Sequence, residues 1–338
     1  MQRQPRTVRK DGPALRALAC VMLMALPWRA GADVAVYQAV VPLSGTTEAD
    51  RSAAFGDALR SAAVRASGQR DAGSSPVIAA AAADPSRYVQ QYSTTADHLL
   101  KVGLDARAMD RLMQQARLPF WPLERPVTVV LLVVPSVAGG QRAVLSSERV
   151  PERVEVERAA LARGLPIAWP QQPVGAAQVR AVLAGTQGAA APGAWGGKAL
   201  LAGLGSGGPV AWAFSDGGQP ARADGSLQQG VDLAADTLAA RYAPPSSRGT
   251  STVAIRVGGI EDVRAYAGLV DYLESLSLVR AVGVDALADR VVSLDVTLRG
   301  DLELLRRIVA LDTHLTPAGP AGPAGADGAQ APDFDYTP

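Results

Sequence analysis

The sequence predicts an α/β and α+β protein made of tandem small domains, the last of them ferredoxin-like with the order β-α-β-β-α. Three observations carry this. Apolar residues recur at helical and at strand spacing by turns along the chain. Val127–Val134 is an unbroken apolar run of strand length, as in a strand buried on both faces. Near the C-terminus, Val253, Ile255 and Val257, then Val292, Leu294, Val296 and Leu298, alternate with polar or small residues around a helical pattern.

The 338 residues allow two or three domains of modest size. The apolar fraction is 48% and the charged fraction 19%, a globular composition shifted towards Ala and Gly. Arg outnumbers Lys 30 to 3 and Asn is absent. That bias fits GC-rich codons, so the arginine count is no signal for nucleic acid.

Residues 1–32 read as a cleavable signal peptide. The first 16 are basic, Ala17–Trp28 is uncharged and mostly apolar, and Ala30-Gly31-Ala32 precedes Asp33 in an A-x-A cleavage pattern. The apolar run is shorter than the roughly 20 residues a membrane span takes. Cleavage between Ala32 and Asp33 would remove six basic residues and one acid, taking the formal charge from +1 to −4. A mildly acidic mature chain lacks the electrostatic footprint of a nucleic-acid or anionic-membrane binder. Cys20 lies inside the apolar run rather than after it, which argues against lipidation. Its removal leaves a chain without cysteine and without need of disulfides.

The first domain is read over 33–135 as β-α-α-β-α-β. Ala35–Leu43 is a strand. Thr47 and Asp50 form a loose capping signal. Phe55, Leu59, Ala62 and Ala66 share a helix face that Gly68 closes. A second helix covers Pro76–Ala83 and continues weakly past Pro85 to Tyr92. His98–Leu104 is a strand, Asp105 caps a helix with Met109, Leu112, Met113 and Ala116 on one face, and Val127–Val134 is the last strand.

The second domain, 136–245, is read as a Rossmann-like half. It has a helix over Glu152–Arg163 ended by Gly164, a short strand Leu165–Trp169, a helix Gln178–Leu183, strands Ala199–Leu204 and Val210–Phe214, and a long helix with Leu227, Val231, Ala234, Leu238 and Tyr242 on one face. Pro244-Pro245-Ser246-Ser247 is a linker. The third domain, 250–316, supplies the β-α-β-β-α pattern, its sixth strand reduced to a short piece near His314-Leu315. From 317 to 338 the chain is rich in Pro, Ala and Gly and is read as a disordered tail.

No reactive constellation stands out. Gly203, Gly205 and Gly208 satisfy G-x-G-x-x-G, but Pro209 and a strand follow where a dinucleotide site needs a helix. A hairpin turn is the simpler reading. The two histidines, His98 and His314, fall in different domains and no mature cysteine could join them in a zinc site. No nucleophile elbow starts a serine triad. Asp105, Glu148 and Asp216 are the carboxylates weighed for general acid–base work, with capping and solvation the cheaper explanation. No cofactor is expected and no metal ligands are assigned.

The binding candidates are Trp121, Arg125, Trp169, Trp195 and Trp212. Four tryptophans between Leu118 and Ser215 could form a platform for sugar or peptide, or fill a core. Arg65, Arg107, Arg111, Arg117 and Arg125 lie near Phe120 and Trp121 in sequence and suit an anion or simply a solvated face.

A set of short motifs occurs in order: Ala49-Asp50-Arg51, Ala58-Leu59-Arg60, Ser67-Gly68, Tyr88-Val89-Gln90-Gln91-Tyr92, Leu118-Pro119-Phe120-Trp121, Arg125-Pro126 and Arg163-Gly164-Leu165-Pro166. Together they resemble the proteobacterial domain-of-unknown-function family numbered twenty sixty-six, over Val36 to Leu315. The resemblance implies an exported protein without assigned activity. At fold level alone, the element order is similar to that of envelope assembly proteins. The expectation is a non-catalytic periplasmic binding or assembly protein whose partner is another envelope protein, without a transmembrane segment once the signal is removed. The alternatives are an enzyme acting on cell-wall glycan or peptide and a small-ligand receptor.

Overall fold

The computed structural model describes residues 36–95, 97–186, 188–245, 249–288, 290–318 and 332–338. The signal peptide, its cleavage point at Ala32 and Asp33, and Cys20 lie outside the described residues. So do 319–331 of the Pro/Ala/Gly tail. Asp33–Pro338 forms one compact unit.

The first sheet comes from β1 (Gln38–Pro42), β2 (Val89–Thr94) and β3 (Leu99–Leu104), in the antiparallel order β1-β3-β2. It is covered by α1 (Glu48–Ser67), α2 (Pro76–Ala83) and α3 (Ala106–Gln115). Local chemistry sets the limits of α1. The Asp50 amide donates to Thr47 Oγ1 at 3.2 Å and the Thr47 amide donates back to Asp50 Oδ2 at 3.0 Å, a full capping box. Gly68 ends the helix at φ +73°, where a side chain would be strained. Phe55, Leu59, Ala62 and Ala66 face Val41, Leu100, Val102, Met109 and Leu112 in one core.

The second helix stops at Ala83, and the segment read as its continuation is β2. Pro85 breaks the helical hydrogen bonding, and Gln90–Thr94 forms an exposed edge strand with an irregular register between Val89 and Gln91. Exposure on both faces erases the alternation that would have marked it.

The second sheet comprises β4 (Thr128–Pro135), β5 (Gln141–Ala143), β6 (Ile167–Ala168), β7 (Ala199–Leu204), β8 (Val210–Ser215) and β9 (Ala221–Gly225). The order is β5-β4-β7-β8-β9, with β6 paired to β4. The strand at 128–135, expected to close the first domain, is therefore an inner strand of the second sheet. Its neighbour β7 is parallel to it, whereas β7, β8 and β9 run antiparallel. The Rossmann-like expectation thus reaches no further than parallel pairing around β4. Helices α4 (Pro151–Arg163) and α6 (Leu227–Tyr242) cover one face, and α5 (Ala176–Ala184) the other. Val130, Leu132 and Val134 point to the first face, and Val129, Leu131 and Val133 to the second. Burial on both sides explains the unbroken apolar run.

Gly205–Gly208 is the β7–β8 turn, with Gly207 at φ +96°. Gly203 lies opposite Trp212 in the ladder. A Cβ there would come within 2.7 Å of the indole, so this glycine of the apparent phosphate motif makes room for a ring.

The third sheet holds β10 (Thr250–Gly258), β11 (Val279–Ala288), β12 (Val291–Arg299), β13 (Leu315–Pro317) and β14 (Phe334–Tyr336), with α7 (Val263–Ser275) and α8 (Leu302–Val309). The order is β11-β12-β10-β14-β13. A ferredoxin-like sheet would set its last strand antiparallel beside β10. Here β14, parallel to β10, takes that place and β13 lies outside it. The tail expected to be disordered from 317 onward therefore ends in a strand whose Phe334 is fully buried. One continuous core runs through the second and third sheets, from Trp121 and Leu238 to Leu305 and Phe334.

Candidate functional site

The connection from α3 to β4 is Leu118-Pro119-Phe120-Trp121-Pro122-Leu123-Glu124-Arg125-Pro126. It runs along the seam between the first sheet unit and the rest. The Trp121 amide donates to Ala66 O at 2.8 Å, tying the segment to the end of α1. The Arg125 guanidinium lies 3.9 Å from the Trp121 ring centroid. Arg125 donates to Pro122 O at 2.9 Å, Arg65 O at 2.8 Å and Trp121 O at 3.2 Å, and also to Gly164 O. Its hydrogen-bond acceptors are all carbonyls. Burial, followed by repulsion from Arg65, pulls its pKa down to about 9. Arg65 is buried beside it and donates to Val36 O and Gln38 O, with burial lowering its pKa to about 10. Arg163 donates to Gly68 O at 2.8 Å and bonds Asp232 and Asp236. Arg125 and Arg163 meet the carbonyls that end α1 and α4, where the helix dipole is negative, while Arg65 holds the backbone at the start of β1. Their chemistry is that of fastening.

A second junction joins the first unit to the third sheet. Asp110 on α3 accepts from Tyr37 Oη at 2.8 Å, Arg299 Nη2 at 2.8 Å and Arg280 Nη2 at 3.1 Å. Burial alone would raise its carboxyl. The hydrogen bonds from Arg299, Tyr37 and Arg280 outweigh that and hold it below the usual carboxylate range. The Arg299 guanidinium also stacks 4.5 Å over Phe120. Nearby, Ser277 donates from its amide and hydroxyl to Glu124, at 2.9 and 2.7 Å.

Cavities open along this seam. One of about 390 Å³ is lined by Met113, Gln114, Leu118, Phe120, Pro244 and Arg299, among others. Its ionisable lining residues, Asp110 and Arg299, are bonded to each other. A wider groove of about 880 Å³ lies between the Ser67–Asp71 loop and α6, crossed by the Arg70–Asp236 pair at 3.2 Å. Volumes of a few hundred Å³ with a mostly apolar wall suit a bound side chain or small ligand.

The five expected binding residues do not converge. Trp121 and Arg125 are buried in the seam. Trp212 is buried under α6 and donates to Ser226 O at 3.1 Å. Trp169 is half-buried at β6, donating to Glu157 Oε1 at 3.1 Å. Trp195 is half-buried on the other face of the second sheet, donating to Ala189 O at 3.2 Å. Trp121, Trp169 and Trp212 pack in or against the core on the α4/α6 face of the second sheet and Trp195 on the α5 face, each as a core residue, so they form no common platform. The weighed carboxylates have separate structural partners: Asp105 caps α3 through Ala108 N at 2.6 Å, Glu148 lies 3.8 Å from Arg142, and Asp216 accepts from Arg241. His98 is exposed before β3, and His314 packs 5.0 Å from Tyr272. Among the described residues, no group of three or more His, Cys, Asp or Glu could hold a metal. None is long and apolar enough as a helix to cross a membrane.

Trp121, Arg125 and Arg65 were singled out from sequence and do lie in the seam, but Tyr37, Asp110, Glu124, Ser277, Arg280 and Arg299 were not. Asp110 meets Arg280 and Arg299 across 170 and 189 positions, and no local spacing announces such a pair.

The class defined by this architecture is a three-sheet α+β protein whose N-terminal unit is clasped to the remainder across a cleft. Residues 31–122 match the family described as a domain of unknown function, DUF8605. No curated protein and no solved structure matches the chain. The resemblance to the family numbered twenty sixty-six is therefore corrected. The match is to a different family and covers the first sheet unit and the start of the seam, just over a quarter of the chain. Several motifs behind that resemblance, Ser67-Gly68, Arg125-Pro126 and Arg163-Gly164, are residues of the arginine-fastened helix ends. The fold-level likeness to envelope assembly proteins finds no counterpart among solved structures.

Proposed function

We propose that the chain is an exported, non-catalytic binding or assembly protein of the bacterial envelope, and that the seam cleft receives a segment of a partner envelope protein. The observation that carries this reading is the lining of the 390 Å³ cavity. Met113, Leu118, Phe120 and Pro244 supply an apolar wall, Gln114 supplies amide hydrogen bonds, and Asp110 and Arg299 are committed to each other. A carboxylate held ionised in an ion pair is a poor proton carrier near neutral pH, whereas an apolar wall with a few fixed polar groups suits recognition.

Export rests on the leader-like composition of residues 1–32. The scattering of the tryptophans and the separate partners of Asp105, Glu148 and Asp216 weigh against a glycan-cleaving site, which needs two carboxyls facing one bond.

Cell fractionation with N-terminal sequencing tests the first half. The expected result is a periplasmic chain beginning at Asp33. An unprocessed chain retained in the cytoplasm would overturn the proposal.

A further inference from the structure

Residues 333–336 behave as a bound peptide. Asp333 N donates to Arg256 O at 2.7 Å, and Arg256 N donates back to Asp333 Oδ2 at 2.9 Å, across 77 positions of sequence. Arg306 lies 3.6 Å from the other carboxylate oxygen of Asp333. Phe334, opposite Val257, is fully buried in the core of the third sheet. Asp335 sits opposite Gly258, and Tyr336 lies over Gly259 and Gly268. A Cβ on Gly268 would come within 2.6 Å of the Tyr336 hydroxyl, and one on Gly258 within 2.8 Å of an Asp335 carboxylate oxygen. On the other side Leu315 and Pro317 pair with Tyr336 and Phe334, and Thr337 N donates to His314 O at 2.9 Å.

This is the physics of strand addition: main-chain bonds supply affinity and a pocket for the alternate side chain supplies selectivity. The contacts belong to 332–338. The thirteen residues before them, 319–331, comprise Gly, Ala and Pro with one Asp and one Gln.

We propose that the slot between β10 and β13 is a docking site for an extended acidic–aromatic peptide, filled in cis by Asp333-Phe334-Asp335-Tyr336 and open in trans to the same segment of a second copy of this chain. Every contact that fixes the segment would be reproduced when it arrives from another copy, which is the condition for exchange of an element between protomers. The tether favours the cis arrangement by effective concentration alone. Exchange therefore emerges when chains refold together at high concentration.

The test uses the full chain with a specific protease site inserted between Ala324 and Gly325. After cutting, the protein keeps its C-terminal fragment through gel filtration and exchanges it for a fluorescent peptide Pro332–Pro338, read by anisotropy. A Phe334→Ala peptide binds weaker by on the order of a thousandfold, the loss expected for deleting a buried ring. Uncut protein takes up the labelled peptide far more slowly. Separately, full chains refolded at high concentration yield a dimer that reverts to monomer when the tethers are cut. Failure of the cut protein to hold or exchange the fragment, indifference to Phe334→Ala, absence of a refolded dimer, or a dimer that survives cutting would each overturn the proposal.

Discussion

Arg299, at the end of β12, donates to Asp110 on α3 at 2.8 Å while its guanidinium rests 4.5 Å over Phe120. This contact joins the N-terminal sheet unit to the third sheet and forms one wall of the seam cleft. A cation stacked on a ring and paired with a carboxylate is held in a narrow orientation. The cleft wall is thus pre-formed, and a ligand would meet it without ordering it first.

Asp110→Asn should loosen this clasp. It leaves two arginines facing an amide, at a cost of about 1–3 kcal/mol. The pH dependence has a definite sign. Because the folded state holds the Asp110 carboxyl below its usual range, its contribution is fully present above the unfolded pKa, about 3.9. It is lost as pH falls through the lower folded value. Thermal unfolding of both proteins should show a constant gap from pH 5 to 7 that narrows in acid. A gap independent of pH would show that the variant acts through packing instead.

Arg125→Lys should destabilise the seam despite keeping the charge. The planar fork of Arg reaches four carbonyls from three segments, and an ammonium on a flexible stem cannot. The expected loss is about 2–4 kcal/mol, combining missing hydrogen bonds with unpaired buried carbonyls. Denaturant titration reads it; a loss under about 0.5 kcal/mol would mean that water replaces the guanidinium without penalty.

Gly230→Ala should cost about 1–3 kcal/mol through overpacking. A Cβ on this α6 glycine would lie 2.7 Å or less from three atoms of the Trp212 ring. Trp212 fluorescence, isolated in a chain starting at Asp33 in which Trp121, Trp169 and Trp195 are Phe, should shift as the indole is displaced. An unchanged spectrum and stability would contradict the packing given for Gly203, Trp212 and Gly230.

What the sequence disclosed follows the range of the interactions. Thr47 with Asp50, and the glycine that ends α1, act within one helical turn, so their roles could be read from spacing. The run Val129–Val134 announced its burial because both faces of β4 are covered. The short edge strands carry little apolar alternation: β2 reads as the end of a helix, and β5 and β9 passed unread. The C-terminal Phe334 was overlooked because one ring in a Pro/Ala/Gly-rich tail has no periodicity. The seam was illegible for a related reason: Tyr37, Asp110, Arg280 and Arg299 come from three distant stretches. Sequence proximity drew Arg65, Arg107, Arg111, Arg117 and Arg125 into one group, whereas the fold buries Arg65 and Arg125 under carbonyls and leaves Arg107, Arg111 and Arg117 exposed. The tryptophans misled similarly: Trp121, Trp169 and Trp212 became core residues on one side of the second sheet and Trp195 on the other, so nearness in sequence did not make a surface.

The central claim, that the seam cleft receives an envelope partner, is tested most directly by site-specific photo-crosslinking in intact cells. A photoreactive residue replaces Gln114 in the cleft, and a control replaces Val137 on the exposed β4–β5 turn. The account expects a discrete adduct with an envelope protein from position 114 and none from 137, with the adduct lost when Phe120 is changed to Ala. Position 114 yielding nothing above the level at 137 would contradict it.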